Sequence, residues 1–225
     1  MSWYSNTAIL HAAVGTTALV TFWISGMSKK GSPVHKASGK VYLLAMVGIL
    51  ISAFPMAAFI LLDDKPVIGS FLLYLLIITA TGVWNSWRAI RDKRDWKRYT
   101  GPIYKALMVL NLLSGLAIAG IGLFLADRMQ IVITSFSLIG ILGAYGMYKF
   151  QREAPTDPRW WMREHLTAMV GNGVATHIAF LQIGLPKIVP MISGPVMVNV
   201  AWIGPLVVAV IAGTYLTRKY SPKRA

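Results

Sequence analysis

Four side chains in this sequence are of a type and setting that could carry chemistry: the histidines His11, His35, His165 and His177. Two of them bracket the apolar stretch "HLTAMVGNGVATH". An imidazole inside hydrocarbon is costly unless it is hydrogen-bonded or ligates something. The chain has no cysteine, which excludes disulfides, thiolate zinc sites and iron–sulfur clusters of the usual ligation. Any metal would have to be held by histidine, carboxylate, methionine or backbone oxygen. Imidazole–metal chemistry is therefore the first to weigh, and its plausibility rests on the elements that position the rings.

Those elements are apolar helices. Of the 225 residues, 56% are hydrophobic and 13% charged, against about 25% charged in a soluble domain, and the mean hydropathy is +0.58. Apolar runs near ~20 residues match the helix length that crosses ~30 Å of hydrocarbon. The sequence predicts an all-α integral membrane protein, one domain over 1–225, with seven transmembrane helices near 5–27, 37–62, 67–88, 102–126, 130–148, 164–188 and 195–217. "MSWYSNT" lacks a positive n-region, so the first span reads as a retained helix rather than a cleaved signal.

Charge orients the spans. The connections at 28–36, 89–101 and 149–163, the tail after 217 and the adjoining span ends hold 19 of the 22 Lys and Arg; Lys65, Arg128 and Lys187 lie opposite. By the positive-inside rule the rich side is cytoplasmic, giving N-out/C-in and a multi-pass protein of a bacterial inner membrane. In this placement the net charge of +14 is a topology signal and a partner for the anionic headgroups of the lipid bilayer, not a nucleic-acid surface.

Three passages align: "YLLAMVG" from Tyr42, "YKALMVL" from Tyr104 and "HLTAMVG" from His165, with Met46, Met108 and Met169 spaced by 62 and 61 residues. This predicts three hairpin repeats plus a final helix, with Tyr42, Tyr104 and His165 equivalent. In the third repeat, "TDPRWWMRE" predicts a helix capped by Thr156 or Asp157, with Pro158 in its first turn.

On this layout His11 and His177 form an outer pair, and His35 and His165 an inner pair near the cytoplasmic surface. Two stacked imidazole pairs resemble the ligation of b-type membrane cytochromes. The expected cofactor is then haem b, bound by His11, His177, His35 and His165 and moving electrons to or from a redox partner. Gly15, Gly39 and Gly173, each one turn from a histidine, would give the macrocycle space. Against it, twelve residues turn a helix by ~120°, so His165 and His177 do not share a face. A zinc site from His35, His165 and Glu164 or Asp95 is the alternative metal chemistry, as a membrane hydrolase. A non-catalytic accessory or small-molecule-binding protein, its histidines merely hydrogen-bonded, is the rival from another class. All eight acids fall in loops or at span ends, which counts against a proton pump. The last span has no lysine for a retinal Schiff base, and no Gly-x-Ser-x-Gly motif marks a nucleophile.

With His11 early in the first helix, "HKASGKVY" from His35 to Tyr42 and the "EHL" helix from Glu164 to Phe180, the chain resembles a family of bacterial multi-span membrane proteins without assigned activity. Relatives often carry a histidine in the middle cytoplasmic loop, where this chain has "DWKRYTG". The resemblance implies the topology rather than a reaction, and it names no catalytic residue.

Overall fold

The computed structural model describes residues 3–127, 129–189, 191 and 195–220. Arg128 and the tail residues Lys223 and Arg224, counted among the basic residues, lie outside them. Helices α1 (Trp3–Met27), α2 (Pro33–Leu62), α3 (Pro66–Arg91), α4 (Trp96–Tyr99), α5 (Pro102–Phe124), α6 (Gln130–Arg152), α7 (Trp160–Ala179), α8 (Leu185–Ile188) and α9 (Pro195–Tyr220) follow in order, and a π-helical turn at Phe180–Gly184 joins α7 to α8. Among the described residues there is no strand. Six helices (α1, α2, α3, α5, α6 and the Val200–Tyr220 part of α9) are long and apolar enough to cross a membrane. Helix α7 falls outside that group: Arg163, Glu164, His165, Asn172 and His177 lower its hydropathy.

Helix starts follow local chemistry. Pro33, Pro66 and Pro102 stand in first turns, where a missing N–H costs nothing. The Ser32 hydroxyl accepts the His35 amide at 3.2 Å, and the Asp95 carboxylate accepts the Arg98 amide at 2.9 Å. The start of α7 differs from expectation: it begins at Trp160. Asp157 instead closes the preceding turn, its carboxylate accepting the Arg159 amide at 2.8 Å, so Pro158 lies in that turn and not in the helix.

The exterior is apolar and the interior partly polar, the reverse of a soluble fold. Leu44 is 72% exposed, Ile51 69% and Val210 69%, while Thr81, Ser86, Asn111, Ser137, Asn172 and Thr176 are buried. Such an outer surface is stable against lipid, where interhelical contact depends on close packing and hydrogen bonds. Tyr74 illustrates this: its hydroxyl donates to Phe136 O at 2.7 Å and accepts the Gly140 amide at 2.9 Å. A Cβ at Gly140 would lie 2.7 Å from that hydroxyl oxygen.

Helix α1 packs on α2 and α5 on α6, while α3 is central, touching α2, α5 and α7, and α7 also packs on α9. Three like hairpins would make α6 and α7 close neighbours. Instead α7 takes its main contacts from α3 and α9, so the aligned Met-Val passages do not translate into a repeated packing unit. Interhelical surfaces, not the short shared motifs, select the neighbours.

Candidate functional site

The helix ends richest in Lys and Arg meet at one end of the bundle. Tyr99 packs on Trp160 at 5.0 Å, the Trp96 indole donates to Phe150 O at 3.2 Å, and the Lys93 ammonium lies 5.7 Å from the Trp161 ring. These contacts tie the α3–α5 segment to the end of α6 and the start of α7.

His35 and His165 lie at this basic end. The last carbonyls of α1 have no partner within their own helix, and neighbours supply them. The His35 Nδ1–H donates to Ser25 O at 2.9 Å, and the Lys30 ammonium donates to Gly26 O at 2.7 Å and Ser25 O at 3.3 Å. Burial holds the Lys30 pKa below its ordinary value. The His165 Nδ1–H donates to Ser86 O, on α3, at 2.9 Å. A carbonyl only accepts, so each neutral ring carries its proton on Nδ1 and keeps the Nε2 lone pair. Each inner ring is thus oriented by a carbonyl of an adjacent helix, His35 by α1 and His165 by α3.

The outer pair is not brought together. His11 contacts Ser52 on α2, Nδ1 to Oγ at 2.9 Å. The Ser52 hydroxyl donates to Gly48 O at 2.8 Å, leaving its lone pair for the imidazole N–H. His177 meets α1 elsewhere, beside Phe22 and Trp23. Trp23 lies twelve residues beyond His11, ~18 Å of helix rise. His177 also uses both ring nitrogens: Nδ1–H donates to Gly173 O at 2.7 Å, and Nε2 accepts the Trp23 indole N–H at 3.0 Å. The space beside Gly173, expected to admit a macrocycle, holds the Phe22 ring, which a Cβ there would strike. His177 therefore has no ring nitrogen left for a ligand, and it meets α1 well away from His11.

The expected zinc carboxylates turn away. Asp95 caps α4. Glu164 Oε2 accepts from the Tyr99 hydroxyl at 3.5 Å; burial first, then the Glu164 charge, raises the Tyr99 pKa well above the phenol range. Among the described residues no group of three His, Asp or Glu is placed to hold a metal ion.

Sequence reasoning groups Asp92 with the loop acids, yet it is only 3% exposed. It pairs with the Nε of Arg88 and, at 3.4 Å, with the Nε of Arg98, and the Arg88 Nη2 donates to Arg98 O at 2.9 Å. The spacing Arg88–Asp92, one helical turn, is a readable signal for the first pair; Arg98 reaches the carboxylate only because α4 folds back. Tyr42 is another unforeseen partner, its buried hydroxyl 3.2 Å from that of Thr176 on α7.

No protein-family model, curated protein or solved structure matches the chain. The resemblance to bacterial multi-span proteins therefore rests on its three short motifs. The apolar, helical architecture agrees with the membrane part of it and says nothing about the motifs.

Proposed function

We propose that this chain is a seven-span inner-membrane protein, N-terminus outside and basic end in the cytoplasm, with α7 as the seventh crossing. Its working site is the inner imidazole pair, His35 and His165. The ligand that fits this donor set best is a metal centre that two imidazoles complete, which is b-type haem, for one-electron transfer with a redox partner.

One observation carries the reading: both inner rings give Nδ1–H to a main-chain carbonyl of a neighbouring helix and keep Nε2. Such anchoring fixes tautomer and ring plane in metal-ligating histidines. Zinc in a catalytic site takes three protein ligands, and among the described residues this pair has no third. When bound, haem would supply the electron-transfer chemistry; the chain's own contribution is to orient two imidazoles in a low-dielectric, basic setting.

A second reading, an accessory or small-molecule-binding protein without a metal, has its own support. His35 and Lys30 already satisfy the last carbonyls of α1, which gives His35 a structural use.

Absorbance separates the two. Protein produced with haem available should show a Soret band that His35→Ala and His165→Ala abolish, and that His11→Ala and His177→Ala leave in place. A colourless wild type would sink the haem reading in favour of the accessory one, and loss of the band in His177→Ala alone would overturn the assignment to the inner pair.

A further inference from the structure

We infer that the cleft between the end of α3, α4 and the start of α5 binds the phosphoryl headgroup of an anionic phospholipid. The inference rests on the membrane placement proposed above and is independent of the histidine pair.

The cleft is open and has a volume of about 330 Å³. Arg88, Lys97 and Arg98 are among its lining residues. Asp92 offsets one of these three charges, since its buried carboxylate is shared by the two arginines. A net excess of positive charge therefore faces the cleft. The same carboxylate holds Arg88 in place, and Arg88 in turn holds the α4 backbone through Arg98 O. The cations are thus mounted on a braced turn rather than scattered on a free loop. The Lys97 side chain makes no hydrogen bond or ion pair among the described residues, and the Arg98 side chain is 61% exposed, so both have donors to spare. Guanidinium and ammonium groups together suit a phosphate, the first by its fork of N–H donors and the second as a point charge.

The apolar part of the lining distinguishes a lipid from a soluble phosphate ester. Pro102 and Ile103 belong to it, and Ile103 is half exposed. Nearby on α3, Trp87 and Ile90 are also exposed, with the Arg91 guanidinium 5.1 Å from the Trp87 ring. Cations beside exposed apolar side chains match a molecule whose phosphate continues into acyl chains. A soluble phosphate ester would leave those apolar side chains without a partner.

The test uses the full chain, delipidated in a neutral detergent and titrated with dioctanoyl phosphatidylglycerol, with retained adducts counted by native mass spectrometry. One lipid should be held in preference to dioctanoyl phosphatidylcholine, and glycerol phosphate at the same concentration should not displace it. Replacing both Lys97→Gln and Arg98→Gln should weaken retention by about tenfold, the scale of losing charge-assisted hydrogen bonds to phosphate. Lys149→Gln with Arg152→Gln, at another basic helix end, should change nothing. If the first double variant does not fold, Lys97→Gln alone carries the test, because that exposed side chain supports no described contact. Equal retention by variant and wild type, or no preference over phosphatidylcholine, would overturn the inference. Displacement by glycerol phosphate would overturn the lipid assignment and give the cleft to a soluble phosphate ester. A chain that stays soluble without detergent would instead overturn the membrane placement itself.

Discussion

Two regions of the bundle hold polar groups in different ways. At the basic end, His35 and His165 bond across helix boundaries to main-chain oxygens of α1 and α3, and Asp92 bridges Arg88 and Arg98. At the α1–α7 boundary, His177 bonds to its own helix through Gly173 O and uses its second nitrogen on Trp23, with Phe22 filling the adjacent space. In the first region imidazoles are anchored yet keep a lone pair; in the second the imidazole is consumed by packing. The comparison teaches that a histidine in an apolar helix is not by itself a ligand. In the proposed reading, a candidate ligand is marked by a second nitrogen left over after the fold has been satisfied.

The largest test breaks the basic end. Asp92→Ala would leave the half-buried Arg88 without its carboxylate, a loss of about 3 kcal/mol on the scale of a broken buried ion pair. The variant should show the deepest fall in apparent Tm in detergent. A change smaller than that of the next variant would mean that Asp92 does not brace this end.

A middle-sized test enters the second region. In Gly173→Ala the new methyl meets the Phe22 ring, and the expected cost is about 1–2 kcal/mol for overpacking. Pairing it with Phe22→Leu should relieve most of that loss. If the single variant were as stable as wild type in a chemical denaturation series, the α1–α7 contact would be looser than described.

The smallest test sharpens the comparison chemically. Trp23→Phe removes the N–H donor at His177 Nε2 and should cost no more than about 1 kcal/mol. Diethyl pyrocarbonate labelling at His177, read by mass spectrometry, should rise several-fold, because the nitrogen is then free. Unchanged labelling would show that Nε2 was not engaged, and His177 would return to the set of ligand candidates.

Much of the framework is legible in the chain itself. The six long apolar helices fall within a few residues of the expected spans at most of their ends, because hydropathy and proline positions are local properties. The gathering of basic residues at one end also follows from the sequence, since it needs only alternating helix direction. The start of α7 is not legible to the residue, because Asp157 can cap a turn as readily as a helix. The α6–α7 pairing that three like hairpins imply is not among the main helix contacts, since a seven-residue likeness carries too little surface to choose a neighbour.

The candidate site divides along the same line. Composition, the absence of cysteine and the placement of four histidines in apolar segments were determined by the sequence alone, and they restrict the chemistry to imidazole and oxygen donors. Which imidazoles meet was decided only by tertiary structure. Helix rotation, the burial of Asp92 and the insertion of Phe22 beside Gly173 depend on how surfaces interlock between segments as distant along the chain as those of Trp23 and His177. Periodicity within one segment carries no record of that. The two nitrogens of each ring make the point most directly: the sequence says that they exist, and only the packed neighbours decide which of them remains free.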